Sequence, residues 1–134
     1  MNILPATIIA IVSSEHLSCI EVRVGLDLFH LLLVEVFDEK LHLQKNVRLA
    51  FKETEVILSK GVINSSANVA EATIQKIEKG VVLTQVTLLY GTMEIKTLIA
   101  TPAFEALHVS QNDTISWMIQ PSEISLLWST NYGI

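Results

Sequence analysis

The hydrophobic and polar positions of this chain predict short strands in a fixed order, and the order occurs twice. Residues 6–12, Ala-Thr-Ile-Ile-Ala-Ile-Val, are rich enough in β-branched types to predict a buried strand. From Leu17 to Val24 the pattern alternates, with Cys19, Glu21 and Arg23 set between Ile20, Val22 and Val24. Gly25 and Asp27 supply a turn, and Leu28 to Val36 is a second extended run, so the segment predicts a hairpin. Phe37 to Leu43 breaks the alternation, because Phe37, Lys40 and Leu41 stand at helical spacing around Asp38 and Glu39. A short helix there would place its two carboxylates near its start, where the backbone dipole favours them. Asn46 opens a further strand through Val47, Leu49 and Phe51, after which Glu53-Thr54 turns the chain into Val56-Ile57-Leu58.

Residues 59–67, Ser-Lys-Gly-Val-Ile-Asn-Ser-Ser-Ala, have the composition of a linker. The pattern then restarts. Ala72 to Lys76 predicts a strand, Glu78-Lys79-Gly80 a turn, and Val81 to Tyr90 a strongly β-prone run that Gly91-Thr92 folds back into Met93 to Ile99. Pro102 can begin a short helix over Ala103 to Leu107, since its missing N–H is not needed in a first turn. Trp117, Met118 and Ile119 fall in the last hairpin, and Pro121 turns into Ile124 to Leu127. The correspondence reaches single residues: Asn2, Ala6, Thr7, Ile8, Gly25, Leu32 and His42 meet Asn68, Ala72, Thr73, Ile74, Gly91, Leu98 and His108. Beyond a small insertion, Phe51, Glu55, Val56 and Leu58 meet Ile119, Glu123, Ile124 and Leu126.

The chain therefore divides into a first module over 1–60, a link over 61–67, a second module over 68–127 and an aromatic, apolar tail over 128–134, expected to pack on a neighbouring module. About five strands and a short helix per copy predict an all-β fold of two small barrels, because closure removes exposed strand edges. Strand exchange between the modules stays open, since a sequence repeat does not say whether each barrel owns all of its strands.

Composition narrows the function. Modules this small sit near the lower limit for a self-sufficient core, and half of the residues are apolar, so association with other copies is expected. The formal charge is −5 with no basic block, which argues against a nucleic-acid surface but leaves room for a small anion held by a few converging donors. Cys19 is the single cysteine; it excludes an internal disulfide and suits a reducing cytoplasm. Charged residues interrupt every apolar run before membrane-spanning length, and no export signal is visible.

Candidate chemistry is sparse. His16, His30, His42 and His108 have neither neighbouring cysteine nor His-x-x-x-His spacing, so no directly coordinated metal is expected. No nucleophile, base and orienting acid can be assembled, and Gly61 and Gly80 are isolated from any phosphate-loop pattern, so no catalytic residue and no organic cofactor are expected. The aromatic residues are not interleaved with enough cations to form a platform for single strands.

The string Phe51-Lys52-Glu53-Thr54-Glu55-Val56-Ile57-Leu58, with Asn2 ahead of Ala6-Thr7-Ile8 and the hairpin at Gly25, resembles the molybdate-binding TOBE or Mop modules. The duplication over residues 2–127 resembles the di-Mop form, in which two modules share one chain. The resemblance implies two tandem OB-like barrels, each with a short helix, assembled as a homo-oligomer, specifically a trimer, in the cytoplasm. It implies binding of molybdate or tungstate at module interfaces for storage or homeostasis, without catalysis. Family sites use a Thr-Ser-Ala-Arg-Asn-like entry into the first strand, which falls on Asn64-Ser65-Ser66-Ala67-Asn68, with Ala67 where the arginine is expected. Hydroxyl residues expected where the third strand enters the helical turn fall on Val34 and Phe37, and on Ala100 and Ala103, with Thr101 one place away. The family lysine is kept at Lys52 and replaced by Gln120 in the second copy. The implied oxyanion site is thus Lys52, Ser65, Ser66, Ala67 and Asn68. On the alternative reading Lys52 is a solvated strand residue, Ser65-Ser66 caps local amides, and the barrels are a structural or protein-interaction module that has lost the anion.

Overall fold

The computed structural model describes residues 1–34, 43, 45–61 and 68–128, the side chain of Trp128 excepted. The first copy contributes β1 (Asn2–Ser14), β2 (Leu17–Val24), β3 (Asp27–Val34), β4 (Asn46–Phe51), a 3-10 turn (Glu53–Glu55) and β5 (Ile57–Ser59). The second contributes β6 (Asn68–Lys79), β7 (Leu83–Tyr90), β8 (Met93–Ala100), α1 (Thr101–Leu107), β9 (Thr114–Ile119), a second 3-10 turn (Pro121–Glu123) and β10 (Ser125–Trp128). The short helix expected over Phe37 to Leu43 falls largely outside the described residues, as does the tail beyond Trp128.

The strands form two five-stranded sheets, ordered β10-β4-β1-β2-β3 and β5-β9-β6-β7-β8. The modules expected over 1–60 and 68–127 differ from the compact units, which exchange pieces across those limits. One unit holds Ile3–Phe51 with the chain from Gln120 onward, and the other holds Met1–Asn2 with Lys52–Ile119. Strand exchange is therefore built into the fold: β10 of the second copy pairs with β4 of the first, Ser125 opposite Ala50 and Leu127 opposite Arg48. In return β5 of the first copy pairs with β9 of the second, Ile57 opposite Met118.

Both units curl around one long bent strand. In β6 the first half pairs with β9, Asn68 opposite Ile119 and Thr73 opposite Thr114, and the second half pairs with β7. A bulge between Ile74 and Lys76 separates the halves, and the same irregularity lies between Ile8 and Ala10 of β1. An extra residue in one strand bends it and increases its twist, which carries a short sheet round toward closure. The backbone repeats this detail, since Ile8 N–H donates to the Lys45 carbonyl at 3.0 Å and Ile74 N–H to the Asp113 carbonyl at 2.9 Å.

The hairpins turn where glycine is needed. Val24 pairs with Asp27 and Tyr90 with Met93, leaving two-residue loops whose first positions, Gly25 and Gly91, have φ of 60° and 63°. Such tight loops require positive φ that a side chain would resist. Alternation then sorts the side chains: Leu4, Ile8, Ile20, Val22, Phe29, Leu31 and Leu49 are buried in the unit built on β1. Ile74, Val86, Leu88, Ile95, Ile115 and Trp117 are buried in the unit built on β6, where Tyr90 and Trp117 meet edge to face at 5.3 Å. Val81 and Val82, expected within a strand, precede β7 and are largely exposed. The helix starts at Thr101, two residues ahead of the expected Ala103, with Pro102 in its first turn and Phe104 buried.

Candidate functional site

Lys52 has an extended backbone, φ −78° and ψ 149°, and its carbonyl accepts the Glu55 N–H at 3.0 Å to start the first 3-10 turn. Gln120 stands in the same geometry, φ −72° and ψ 142°, with its carbonyl accepting the Glu123 N–H at 2.9 Å. The two copies thus present one backbone corner with different chemistry, an ammonium in the first and a neutral amide in the second. Lys52 is exposed and has no ion pair among the described residues. Asn68 is only 3% exposed at the head of β6, opposite Ile119. Its paired strand therefore runs into Gln120, the counterpart of Lys52. Ser65, Ser66 and Ala67 lie outside the described residues.

Asn2, the counterpart of Asn68, has a defined structural task. Its Nδ2 donates to the Lys96 carbonyl at 2.8 Å and its Oδ1 accepts the Lys96 N–H at 2.8 Å. The carboxamide thereby acts as one further peptide group against β8, the edge strand of its sheet. Thr97 Oγ1 donates to the Val56 carbonyl at 2.9 Å and ties the same edge to the residue just after the first 3-10 turn. Beside this closure the Met1 ammonium is ion-paired with Glu53. Hydrogen bonding from that ammonium, then from the Glu53 amide, outweighs partial burial and holds the Glu53 carboxyl below its ordinary pKa, with the Lys96 charge contributing.

Where the third strand of the second copy enters its helix, the expected hydroxyl donors are absent. Ala100 and Ala103 are exposed, and the neighbouring Thr101 is committed elsewhere. Thr101 Oγ1 donates to the Gly80 carbonyl at 2.8 Å and accepts from Thr84 Oγ1 at 2.9 Å, with Thr101 8% exposed and Thr84 fully buried. A hydroxyl has one proton, so Thr101 is satisfied inside the protein and has none left for an anion. The adjacent concavity, about 520 Å³, is lined by Val56, Ile57, Leu58, Leu98, Ile99, Ala100, Ala103, Ala106 and Leu107 with Thr54 as its hydroxyl, and none of the described lining residues is charged.

Two of the histidines, His108 and His30, occupy structural positions, while His42 lies outside the described residues. His108 closes α1 in the left-handed region, φ 51° and ψ 54°, and its carbonyl accepts Lys60 Nζ at 3.3 Å, a cation at the negative end of the helix. His30 Nε2 lies 3.3 Å from the Glu21 carboxylate directly across β2 and β3. No group of three metal-ligating side chains occurs among the described residues.

Sequence reasoning missed the place where the cations gather. A concavity of about 530 Å³ in the unit built on β1 is lined by Arg23 and Arg48 with Thr7, Asn46, Pro5, Ala6, Gly25 and Val47. No motif announces it, because the residues come from three strands. A smaller concavity of about 360 Å³ in the other unit mixes Lys76 and Lys96 with Glu78 and Glu94, so its charges offset one another.

No protein-family model matches the sequence, and no curated protein matches it significantly. The fold is similar to the crystal structure of the cytoplasmic molybdate-binding protein ModG with molybdate bound, at a TM-score of 0.87 and 22% sequence identity, covering 94% of each chain. At that identity the likeness establishes the fold, two OB-like barrels in one chain.

Proposed function

We propose that this protein binds a tetrahedral metal oxyanion, molybdate or tungstate, in the cytoplasm and holds it for storage or homeostasis without changing it chemically. The observation that carries the reading is the agreement of fold over 94% of both chains with a protein solved with molybdate bound, joined to the Lys52 string and its duplication. A tetrahedral dianion has no proton to donate, so it is held by converging donors, whose worth rises as water is excluded. Lys52 would supply charge, Ser65 and Ser66 hydroxyl protons, Ala67 a backbone N–H, and Asn68 the order of the strand entry. No described helix is long and apolar enough to cross a membrane.

The same reading makes the working form a homo-oligomer, with a trimer expected. One observation supports association. At the end of the hairpin of β2 and β3, exposed Leu17 stands directly opposite exposed Val34, and Cys19 opposite exposed Leu32, with exposed Val12 opposite Cys19 on β1. A contiguous apolar patch of this kind favours burial against another surface. Sedimentation across a protein concentration series tests it, and a stable monomer throughout would overturn the assembly.

A second reading, an interaction module that has lost its anion, is motivated by Ala67, Ala100 and Ala103 where better donors are expected. Calorimetric titration of the assembled protein with molybdate, tungstate, sulfate and phosphate separates the two. Saturable binding of the metal oxyanions that weakens in Lys52→Ala and persists in His42→Ala is expected. Absence of binding by either metal oxyanion would favour the second reading.

A further inference from the structure

The geometry points to a separate anion site in the concavity between Arg23 and Arg48, built to take a dianionic tetrahedral group, free or carried on a small organic body. The chain has 9 lysines and arginines against 14 acidic residues, yet both of its arginines line this concavity and, among the described residues, no carboxylate does. They reach it from different strands, Arg23 on β2 opposite Thr7 of β1, and Arg48 on β4, the strand on the other side of β1. Neither guanidinium has an ion pair among the described residues, and the two fork-shaped donors line the same space. In the lysine-bearing concavity of the other unit, by contrast, glutamates share the lining.

The floor between the arginines is arranged as a donor as well. Thr7 Oγ1 donates to Asn46 Oδ1 at 3.1 Å, which occupies the amide oxygen and leaves the Asn46 NH₂ as the group to present. Two guanidiniums and a carboxamide N–H are the donor set that a phosphate-like oxyanion recognises, and each charge-assisted bond exceeds a neutral one in strength. The volume of about 530 Å³ exceeds the need of a bare tetrahedral ion and lies within the range of small-molecule sites, and Pro5, Ala6 and Val47 add apolar wall for a carbon skeleton. The site shares no residue with Lys52 or the Ser65 to Asn68 segment, so it stands or falls apart from the metal-oxyanion reading.

The test is titration of the full chain with inorganic phosphate and, separately, with ribose 5-phosphate, followed by calorimetry and by the amide resonances of Thr7, Arg23, Asn46 and Arg48. Saturable binding that shifts those resonances, falls about tenfold or more in Arg23→Gln and in Arg48→Gln, and is unchanged in Lys52→Ala is expected. Comparable affinity for both probes would assign the free oxyanion, and binding of the ester alone would assign the group carried on an organic body. Both arginines are exposed, and unchanged unfolding midpoints in the variants would establish that a loss is local. The site is overturned if neither probe saturates, or if binding survives undiminished in both glutamine variants.

Discussion

The Asn2 carboxamide lies against the backbone of Lys96 with two hydrogen bonds of 2.8 Å, so a side chain at the head of one strand completes the edge of another. Residues 2 and 96 lie in different repeats, and nothing local to either predicts their meeting. Asn2→Ala would leave the Lys96 N–H and carbonyl, both facing a part-buried position, without those partners. It is expected to cost roughly 1–3 kcal/mol of stability, read from urea unfolding. A change within experimental error would show that water replaces the amide without loss.

The hydroxyl chain from Thr84 through Thr101 to the Gly80 carbonyl makes a second prediction. Thr101→Val keeps the shape and removes the donor, leaving a carbonyl and a buried hydroxyl to find other partners. A loss of about 1–3 kcal/mol in thermal or chemical unfolding is expected, with oxyanion affinity unchanged. A fall in molybdate affinity at unchanged stability would instead make Thr101 a ligand-binding residue.

Glu53 gives a pH dependence of defined sign. Its carboxyl pKa is lowered in the folded protein by the Met1 ammonium, so the folded state holds its proton less tightly than the unfolded chain. The resulting stability is present above the ordinary carboxylate pKa and is lost as pH falls through the lowered folded value. Glu53→Gln should therefore show a shallower decline in unfolding midpoint from neutral to acid pH than the parent. Parallel declines would remove Glu53 from the account.

Ala67 stands where the resembling family carries an arginine, so Ala67→Arg is expected to tighten molybdate binding. One added charge-assisted donor corresponds to about tenfold or more in affinity by calorimetry. Unchanged affinity would place the anion away from the 64–68 segment.

The strand exchange predicts that residues of the second copy stabilise the barrel of the first. Ile124, 4% exposed, and β10 belong to the unit built on β1. Ile124→Ala is expected to cost about 2–5 kcal/mol and to speed hydrogen exchange at Val47 and Leu49 of β4 more than at Val86 and Leu88 of β7. Faster exchange confined to the second-copy strands would contradict the pairing.

Much of this architecture was legible in the chain. β-branched runs placed the strands, Gly25 and Gly91 placed the two tight hairpins, Pro102 marked the helix start to within two residues, and Lys52-Glu53-Thr54-Glu55 marked a turn that Gln120-Pro121-Ser122-Glu123 repeats. These features are legible because backbone sterics and apolar periodicity act over a few residues. The candidate site was legible only as a resemblance: Lys52 sits on an exposed corner and Asn68 inside a strand entry, while 65–67 lie outside the described residues. Tertiary structure decided what local patterns leave degenerate. Two similar copies offer equivalent strand edges, so which edge β5 and β10 complete depends on the path of the whole chain, which sends each to the other copy. It decided that the Thr101 hydroxyl donates to the Gly80 carbonyl. It also set Arg23 and Arg48 around one concavity, because adjacency across strands depends on sheet order and register rather than on separation along the sequence.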